Sequence, residues 1–242
     1  MTSVVAVGQR YLPRGWSDLL RQIGIWLGFL LAYQIARGLA DRQPEEAFSN
    51  GLKVVGVETN FSGRLYELTL QQFVEQRHWL ASLANWTYWT SEFTVLTLAL
   101  LWMYLRRHDA FPRFRNALLL ANVIGLLGYI AMPTAPPRLL GLGFEDAPHK
   151  DGLVQLAANP YAAMPSLHAA DALIVGIVLA FVCRRWWAKL FWAIWPLWVW
   201  FAVMATGNHF WLDCIAGVAV ALVALTIVYR RDLLRVLAAQ RA

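Results

Sequence analysis

Two groups of polar side chains stand where long apolar runs of the sequence begin. The first contains Ser166, His168 and Asp171 within six residues, and the second is the stretch 208–213, which contains one histidine and one aspartate. Polar and ionisable side chains are costly to bury in lipid, so those beside an apolar segment mark a functional site by default. We therefore expect the two groups to face each other and to carry the chemistry of this protein.

The first group is typical of an anion-binding helix end. Pro165 suits the first turn of a helix, and Ser166 beside it indicates that the helix begins there with free backbone N–H groups. Arg138 ends the proline-rich segment 132–138, which holds the chain extended and presents the arginine on a stiff support. A helix N-terminus with a hydroxyl group and a nearby arginine is best suited to phosphate. The sequence therefore predicts a phosphate site.

The second group has the spacing of an oriented histidine. Asn208 is a candidate N-cap for the helix that follows. His209 and Asp213 are four residues apart, so they lie on one face of that helix. The aspartate can then accept a hydrogen bond from one imidazole nitrogen and leave the other nitrogen as a nucleophile or base.

His168 offers a second imidazole to the same site. A second histidine beside a bound phosphate can donate the proton that the departing oxygen needs. Asp171 lies three residues after His168 on the same helical face. It either orients His168 or makes a structural polar contact, and the sequence leaves both interpretations open. Glu92, near the outer end of another apolar run, either lines the site or reaches water.

A metal centre and a purely binding site are the alternatives to catalysis by these residues. The sequence contains no His-Glu-x-x-His motif and no paired-cysteine spacing. We therefore expect neither a metal ion nor a cofactor. A protein that only binds or transports an anionic lipid would not need two histidines with the second backed by Asp213, so catalysis is favoured.

The composition places the chain in a membrane. Apolar residues make up 59% of the 242 residues and charged residues only 15%, whereas a soluble domain carries roughly 25% charged residues. Runs of about twenty apolar residues can cross a bilayer as helices. We count six such spans: 19–39, 83–105, 117–132, 167–182, 186–205 and 210–229. The sequence therefore predicts an all-α integral membrane protein, a single domain over residues 1–242 built as a six-helix bundle.

The basic residues predict the orientation of this bundle. With both termini cytoplasmic, the inner side holds fourteen of the 21 lysines and arginines against three acidic residues, as the positive-inside rule requires. The net charge of +6 then favours contact with anionic lipid head groups, while nucleic-acid binding would need a solvent-facing basic stripe. We expect residues 1–18 to be cytoplasmic and the site to face outward from a bacterial plasma membrane.

The segment 40–82 is expected outside the membrane. Its residues 65–79 have partly helical apolar spacing with charged side chains between them. This pattern indicates either an amphipathic helix lying on the outer leaflet or a helix packed on the bundle.

Two of the six spans are short. The spans 117–132 and 167–182 contain sixteen residues each, or about 24 Å as helices, against a hydrocarbon core about 30 Å thick. Either the polar flanks continue these helices, or their outer ends stop below the membrane surface and leave a recessed cavity.

Three sequence blocks resemble the signatures of a known family. They are Pro-Thr-Ala-Pro-Pro-Arg ending at Arg138, Met-Pro-Ser-Leu-His ending at His168, and Gly-Asn-His ending at His209, with Asp213 four residues on. These blocks resemble those of the type-2 phosphatidic acid phosphatase (PAP2) superfamily of membrane phosphatases, and most closely its aureobasidin-resistance and inositol-phosphoryl-ceramide-synthase-like branch. The motifs are confined to residues 133–213, and the six-helix plan extends the resemblance over nearly the whole chain.

The resemblance also implies a role for each residue. His209 would attack phosphorus to give a phosphohistidine, with Asp213 orienting it. His168 would protonate the leaving alcohol or phosphate, while Arg138 and Ser166 hold the phosphoryl oxygens of a membrane lipid phosphate. No metal is needed in that scheme. The implied function is a lipid phosphatase or phosphotransferase, and head-group transfer to a lipid or alcohol acceptor is the alternative.

Three positions depart from the common phosphatase pattern. A lysine several residues before Arg138 is absent, Val203 stands where the pattern has an arginine six residues before the nucleophile, and Leu167 replaces a glycine. One phosphate-binding charge is therefore missing or supplied elsewhere. The candidates for it are Lys150, Arg64 and Arg77. These departures favour the synthase-like branch, whose members transfer a phosphoryl or phospho-alcohol group to an acceptor other than water.

Overall fold

Helices make up most of the described chain. The structure, a computed structural model, describes residues 12–40, 43–144 and 160–239. The α-helices follow in this order: α1 (Gly15–Ala40), α2 (Pro44–Ser62), α3 (Tyr66–Glu75), α4 (His78–Thr90), α5 (Leu96–Arg106), α6 (Phe111–Ala131), α7 (Leu167–Val182), α8 (Trp186–Ala205) and α9 (Trp211–Ala239). A π-helical turn, Ser91–Val95, joins α4 to α5, and a short 3₁₀-helix covers Pro137–Leu139.

Several helices have the length and composition of membrane spans. Within the described residues, α6, α8 and the part Trp211–Asp232 of α9 are long and apolar enough to cross a bilayer. Phe93–Arg106 and α7 are shorter apolar helices. The predicted all-α membrane protein is confirmed at this level, while the count of six spans and the cytoplasmic position of both termini stay predictions.

The two spans predicted to be short differ from each other. α6 begins at Phe111, six residues before its predicted start, and Pro112 lies in its first turn, where a missing N–H breaks no helical hydrogen bond. Its 21 residues reach about 31 Å. α7 keeps its predicted bounds and has 16 residues, or about 24 Å. The flank therefore continues α6, whereas α7 is shorter than the hydrocarbon core, as a recessed outer end requires.

α7 lies at the centre of the bundle. Its Leu167, Ile174 and Val178 belong to an apolar cluster that also contains residues of α5, α6 and α9. Gly176 faces Pro196 of α8, and a Cβ at this glycine would overlap the proline ring. Glycine thus allows α7 and α8 to cross closely near the middle of α7.

Helix α3 packs back on the bundle. Val74 on the buried face of α3 packs with Ala202 and Ala205 of α8. α2, which was not predicted, ends at Gly63, whose φ of 74° is the left-handed conformation that glycine adopts most readily. The structure thus shows the helix predicted near residues 65–79 packed on the bundle. Its place at the membrane surface and the division of the chain into one domain stay predictions.

Candidate active site

Backbone hydrogen bonds join the three motif segments at one end of the bundle. Residues 134 and 162 form a parallel β-bridge. The bonds run from Thr134 N to Tyr161 O (2.8 Å), from Ala163 N to Thr134 O (3.2 Å), from Arg138 N to Gly207 O (3.0 Å) and from Ser166 N to Asp213 O (3.0 Å). Each segment is therefore held directly by another, and the side chains between these bonds have little freedom to move apart.

His209 is fixed by a backbone carbonyl. Its Nδ1 lies 2.9 Å from Ala163 O, and a carbonyl oxygen only accepts, so Nδ1 carries the proton. Nε2 then presents its lone pair and lies 3.4 Å from Nδ1 of His168. The His209 side chain is almost completely buried, with 4% of its surface exposed. The tautomer and the orientation of this ring are those of a nitrogen ready to attack or to accept a proton.

The carboxylate of Asp213 binds a backbone N–H group and also lies close to the imidazole of His209. Its Oδ2 accepts the N–H of Phe210 at 2.8 Å and lies 3.5 Å from Nδ1 of His209. α9 begins at Trp211, so the aspartate reaches back from the third helical position to the residue before the helix, as in half of a capping box. The expected hydrogen bond from His209 to Asp213 is replaced by the shorter one to Ala163. Asp213 adds negative charge beside the proton on Nδ1.

His168 is the more open of the two imidazoles. It stacks on Tyr88, with ring centroids 4.6 Å apart and ring planes inclined by 21°. Its ring centroid lies 5.5 Å from that of His209. His168 is only partly buried, so it can exchange protons with a bound molecule or with solvent.

Asn208 orients Arg138. Nε of Arg138 donates to Oδ1 of Asn208 at 2.9 Å, and Nδ2 of Asn208 donates to Oγ1 of Thr206 at 2.9 Å. The expectation that Asn208 caps the last helix was wrong, because α9 begins three residues later at Trp211. Its amide instead links the arginine to the turn that carries His209.

Ser166 caps α7 and is buried. Its Oγ accepts the N–H of Ala169 at 3.2 Å, and none of its surface is exposed. α7 begins at Leu167, so Pro165 precedes the cap and does not occupy the first turn as predicted. The contact of Ser166 with phosphate stays a prediction.

Asp171 pairs with an amide of α6. Nδ2 of Asn122 donates to both of its carboxylate oxygens, at 2.9 and 3.0 Å, and to the carbonyl of Leu118 at 2.9 Å. The structure therefore shows the structural polar contact that the sequence left as one of two alternatives. Asn122 was missed, although a lone amide in the apolar span 117–132 was a signal for a buried polar partner.

These residues surround one cavity. Its walls combine His168, His209, Asn208 and Arg138 with five aromatic side chains. The aromatic side chains are Tyr33, Tyr88, Trp89, Phe93 and Tyr129. Among the described residues, Arg138 is the one arginine or lysine that lines the cavity. The described residues contain no group of three or more His, Cys, Asp and Glu side chains arranged to hold a metal ion.

Of the candidates for a further phosphate-binding charge, the two that the structure describes, Arg64 and Arg77, do not line this cavity. Lys150 lies outside the described residues, and so does the side chain of Glu92, whose backbone belongs to the π-helical turn. Arg64 and Arg77 are exposed, and each guanidinium stacks on a neighbouring aromatic ring. Val203 is completely buried in an apolar cluster, so its position offers no room for a charge.

An apolar groove continues from the cavity. Tyr33 and Phe93 line both. From there the groove follows α1 from Gln34 to Leu19, a length of about 22 Å along the helix axis. Its walls are mostly aliphatic and aromatic side chains of α1 and α5. The cavity is thus connected to a surface that suits a hydrocarbon chain.

Helix α2 supports the segment that carries Arg138. Its Ala47 carbonyl accepts the N–H of Ala135 at 2.9 Å, and Nδ2 of Asn50 donates to the carbonyl of Pro133 at 3.0 Å. Sequence reasoning missed this support, because neither residue belongs to a motif and half of the contact is made by backbone atoms.

Comparisons with known proteins add relatives for both sequence and fold. The family model described as PAP2 superfamily matches residues 54–227. The phosphoinositol dihydroceramide synthase of Bacteroides thetaiotaomicron is 28% identical over 138 residues, which cover 48% of this chain and 45% of that relative. The chain thus spans less than half the length of the curated relative.

A solved structure is similar in fold. The crystal structure of Aquifex aeolicus LpxE matches with a TM-score of 0.53 and 18% sequence identity. The match covers 69% of this chain and 94% of the LpxE chain. At this identity the likeness concerns the fold alone.

Proposed function

The chain belongs to the PAP2 superfamily, and from this premise we propose that it is a membrane enzyme that cleaves a phosphoester or phosphoanhydride of a lipid through a phosphohistidine at His209. The observation that carries the proposal is the setting of this ring. Nδ1 is held by Ala163 O at 2.9 Å, and Nε2 lies 3.4 Å from His168 at the cavity wall. A fixed, unprotonated imidazole nitrogen is the nucleophile that attack on phosphorus requires.

In the first step, Nε2 of His209 attacks phosphorus while the bond from phosphorus to the leaving oxygen breaks. His168 gives its proton to that oxygen, as a general acid. Arg138, oriented by Asn208, stabilises the charge on the phosphoryl oxygens. The imidazole becomes positively charged when it bonds phosphorus, and the carboxylate of Asp213 beside Nδ1 offsets that charge.

In the second step, neutral His168 takes the proton of an acceptor O–H group. The acceptor oxygen bonds phosphorus, and the bond from phosphorus to Nε2 breaks. His168 is protonated again and His209 is restored, so the cycle closes without a redox step or a metal ion. One pair of histidines therefore serves both steps, with His168 changing from acid to base.

The groove supports a lipid substrate. It begins at the cavity and runs along α1 between apolar walls, so the chain of a lipid can lie there while its phosphate is beside His209. A water-soluble phosphate would gain nothing from such a groove. The charge distribution along the sequence supports a site on the extracytoplasmic face of a bacterial plasma membrane.

Head-group transfer is the second candidate reaction. It is favoured by the relative named phosphoinositol dihydroceramide synthase and by Val203, whose buried position excludes the second arginine of the phosphatase pattern. In transfer, the group on His209 keeps its own alcohol, and a hydroxyl of a lipid or other alcohol replaces water in the second step.

The test is a screen of the purified protein in lipid nanodiscs. Phosphatidic acid, prenyl diphosphate and phosphatidylinositol are incubated with and without diacylglycerol or inositol, and products are identified by mass spectrometry. Release of inorganic phosphate indicates hydrolysis, and an exchanged head group indicates transfer. Intact-protein mass spectrometry after a rapid quench is expected to show the mass of a phosphoryl or phospho-alcohol adduct on wild type and none on His209→Ala.

The same screen separates catalysis from lipid binding without turnover. Binding of these lipids with neither phosphate release nor exchange would support a binding or transport protein and would contradict the proposed enzyme. Turnover is expected to survive a chelator such as EDTA, because the proposed steps use no metal ion. Loss of activity with EDTA and its recovery with a divalent cation would contradict that part of the mechanism.

A further inference from the structure

Two carboxyl groups of the outer segment bind the first turn of α9. Oε1 of Glu67 accepts the N–H of Trp211 at 2.7 Å, and Oε1 of Glu58 accepts the N–H of Leu212 at 2.9 Å. Together with Asp213, which takes the preceding N–H, three carboxyl groups bind three consecutive backbone donors. These donors directly follow His209. A helix N-terminus leaves such donors unpaired and attracts negative charge, so the arrangement fixes the start of α9.

The two glutamates are buried against each other. Neither side chain has any exposed surface. They are within hydrogen-bonding reach of each other, and Oε2 of each has no other hydrogen-bond partner among the described residues. Burial, together with repulsion from Glu67, raises the pKa of Glu58 from 4.5 to about 8, and burial also raises the pKa of Glu67. At neutral pH, Glu58 therefore holds a proton that it can donate to Glu67.

We propose that Glu58 and Glu67 are positioning residues, which hold the start of α9 and thereby His209 through one proton shared between their carboxyl groups. The inference rests on the catalytic role proposed for His209. It assigns to α2 and α3 a function in the active site: they attach the outer segment to the turn that carries the nucleophile.

Among the described residues, no positively charged group interacts with the pair and could replace the proton. The other titratable groups that interact electrostatically with it are Asp213 and Cys214 of α9. Asp213 adds a further acid, and a thiol supplies no positive charge. Arg64, in the turn between α2 and α3, is exposed and its guanidinium lies 4.8 Å from the ring centroid of Tyr66. Loss of the shared proton would therefore leave carboxylates repelling one another in a buried site.

The direction of the pH effect follows. Because the pKa of Glu58 is raised by folding, its contribution favours the attached state at low pH and is lost as the pH rises through about 8. Above that pH the first turn of α9 is expected to loosen, and kcat is expected to fall while KM changes little, since the lipid groove is elsewhere.

The first experiment measures kcat and KM from pH 6 to pH 10 for wild type, Glu58→Gln and Glu46→Gln. In Glu58→Gln the new amide keeps an oxygen for the N–H of Leu212 and donates permanently to Glu67. The alkaline loss of kcat should therefore shrink to the part that comes from loss of the His168 proton, while kcat at pH 7 stays within about twofold. Glu46 is an exposed acid on the same helix, and its variant should keep the wild-type profile. An alkaline loss in Glu58→Gln equal to that of wild type would overturn the proposal.

Hydrogen–deuterium exchange provides a readout that needs no activity. Relative to Glu58→Gln, peptides covering residues 206–216 and 44–75 of wild type should exchange faster at pH 9 but not at pH 7. Glu67→Gln is the reciprocal variant. If Glu58→Gln does not fold, Glu67→Gln takes its place in this experiment, and the same difference from wild type is expected. Equal protection of wild type and either variant at pH 9 would overturn the shared proton. If no lipid phosphate is turned over, the exchange experiment still decides the role of the pair separately from the proposed function.

Discussion

The N-terminal ends of α7 and α9 each bring one histidine to the cavity, but they are held in different ways. α7 is capped by its own Ser166, whereas three carboxyl groups from α2, α3 and α9 bind the start of α9. His209 is nearly buried and both of its ring nitrogens have partners, while His168 is partly exposed and stacks on Tyr88. The fixed ring of His209 suits a nucleophile, and the more exposed ring of His168 suits proton transfer.

The two aspartates show the same contrast. Asp171 and Asp213 follow their histidines by three and four residues, and spacing alone predicted that both could orient an imidazole. Asp171 binds Asn122 of another helix, while Asp213 stays within 3.5 Å of its histidine and also binds backbone. A shared helical face therefore does not decide which partner the carboxylate takes.

Removal of the His209 imidazole should have the largest effect on turnover. His209→Ala is expected to lower turnover of the lipid substrate by more than about 10⁴-fold, since it removes the nucleophile itself. No substrate should rescue it, and no covalent adduct should form. Product formation by phosphate-release assay or mass spectrometry checks this, with a thermal melt to show that the variant is folded. Turnover near the wild-type rate would exclude the phosphohistidine.

Removal of the His168 imidazole should have a smaller effect on turnover, and its size should depend on the leaving group. His168→Ala is expected to lower turnover by about 10²–10⁴-fold, the usual contribution of a general acid. A substrate whose leaving alcohol is a phenol of low pKa needs no proton at departure, so the adduct on His209 should form at close to the wild-type rate. Quenched-flow mass spectrometry measures this first step. Equal loss with alkyl and phenyl leaving groups would contradict the assignment of His168 as the acid.

Substitution of Arg138 and of Asn208, which orients it, should give the next largest losses of activity. Arg138→Ala is expected to reduce kcat/KM by about 10²–10³-fold, because it removes a charged donor to the phosphoryl oxygens. Asn208→Ala keeps the charge but frees the guanidinium, so a loss of about tenfold is expected. Arg64→Ala, which changes an exposed arginine away from the cavity, is the matched control and should match wild type. A loss in Asn208→Ala as large as in Arg138→Ala would indicate that Asn208 itself contacts the substrate.

The sequence predicted the apolar helices and the motif side chains better than the groups that hold those side chains in place. A helix that crosses lipid needs a long apolar run, which the sequence shows directly, and α7 has the bounds predicted from its run. The motif blocks also predicted correctly that Arg138 and the two histidines line one cavity. The carbonyl of Ala163 could not be identified, since every residue has one. Glu58 and Glu67 are ordinary acids in a polar segment, and their burial depends on a helix that begins 144 or more residues later.

The smallest effect on catalysis is expected at Asp171. If this carboxylate only pairs with Asn122, Asp171→Asn should leave kcat within about threefold of wild type and destabilise the protein by about 1–3 kcal/mol. The new amide keeps one oxygen for Nδ2 of Asn122, but the charge of the carboxylate is lost and its second oxygen becomes an NH2 group, which cannot accept. Asn122→Ala should cost similar stability, and the double variant should cost less than the sum, since the two residues share one interaction. Thermal unfolding and steady-state kinetics separate the two outcomes. A loss of kcat that appears only with alkyl leaving groups, as in His168→Ala, would show that Asp171 acts through His168, and the two helix ends would then be more alike than their hydrogen bonds indicate.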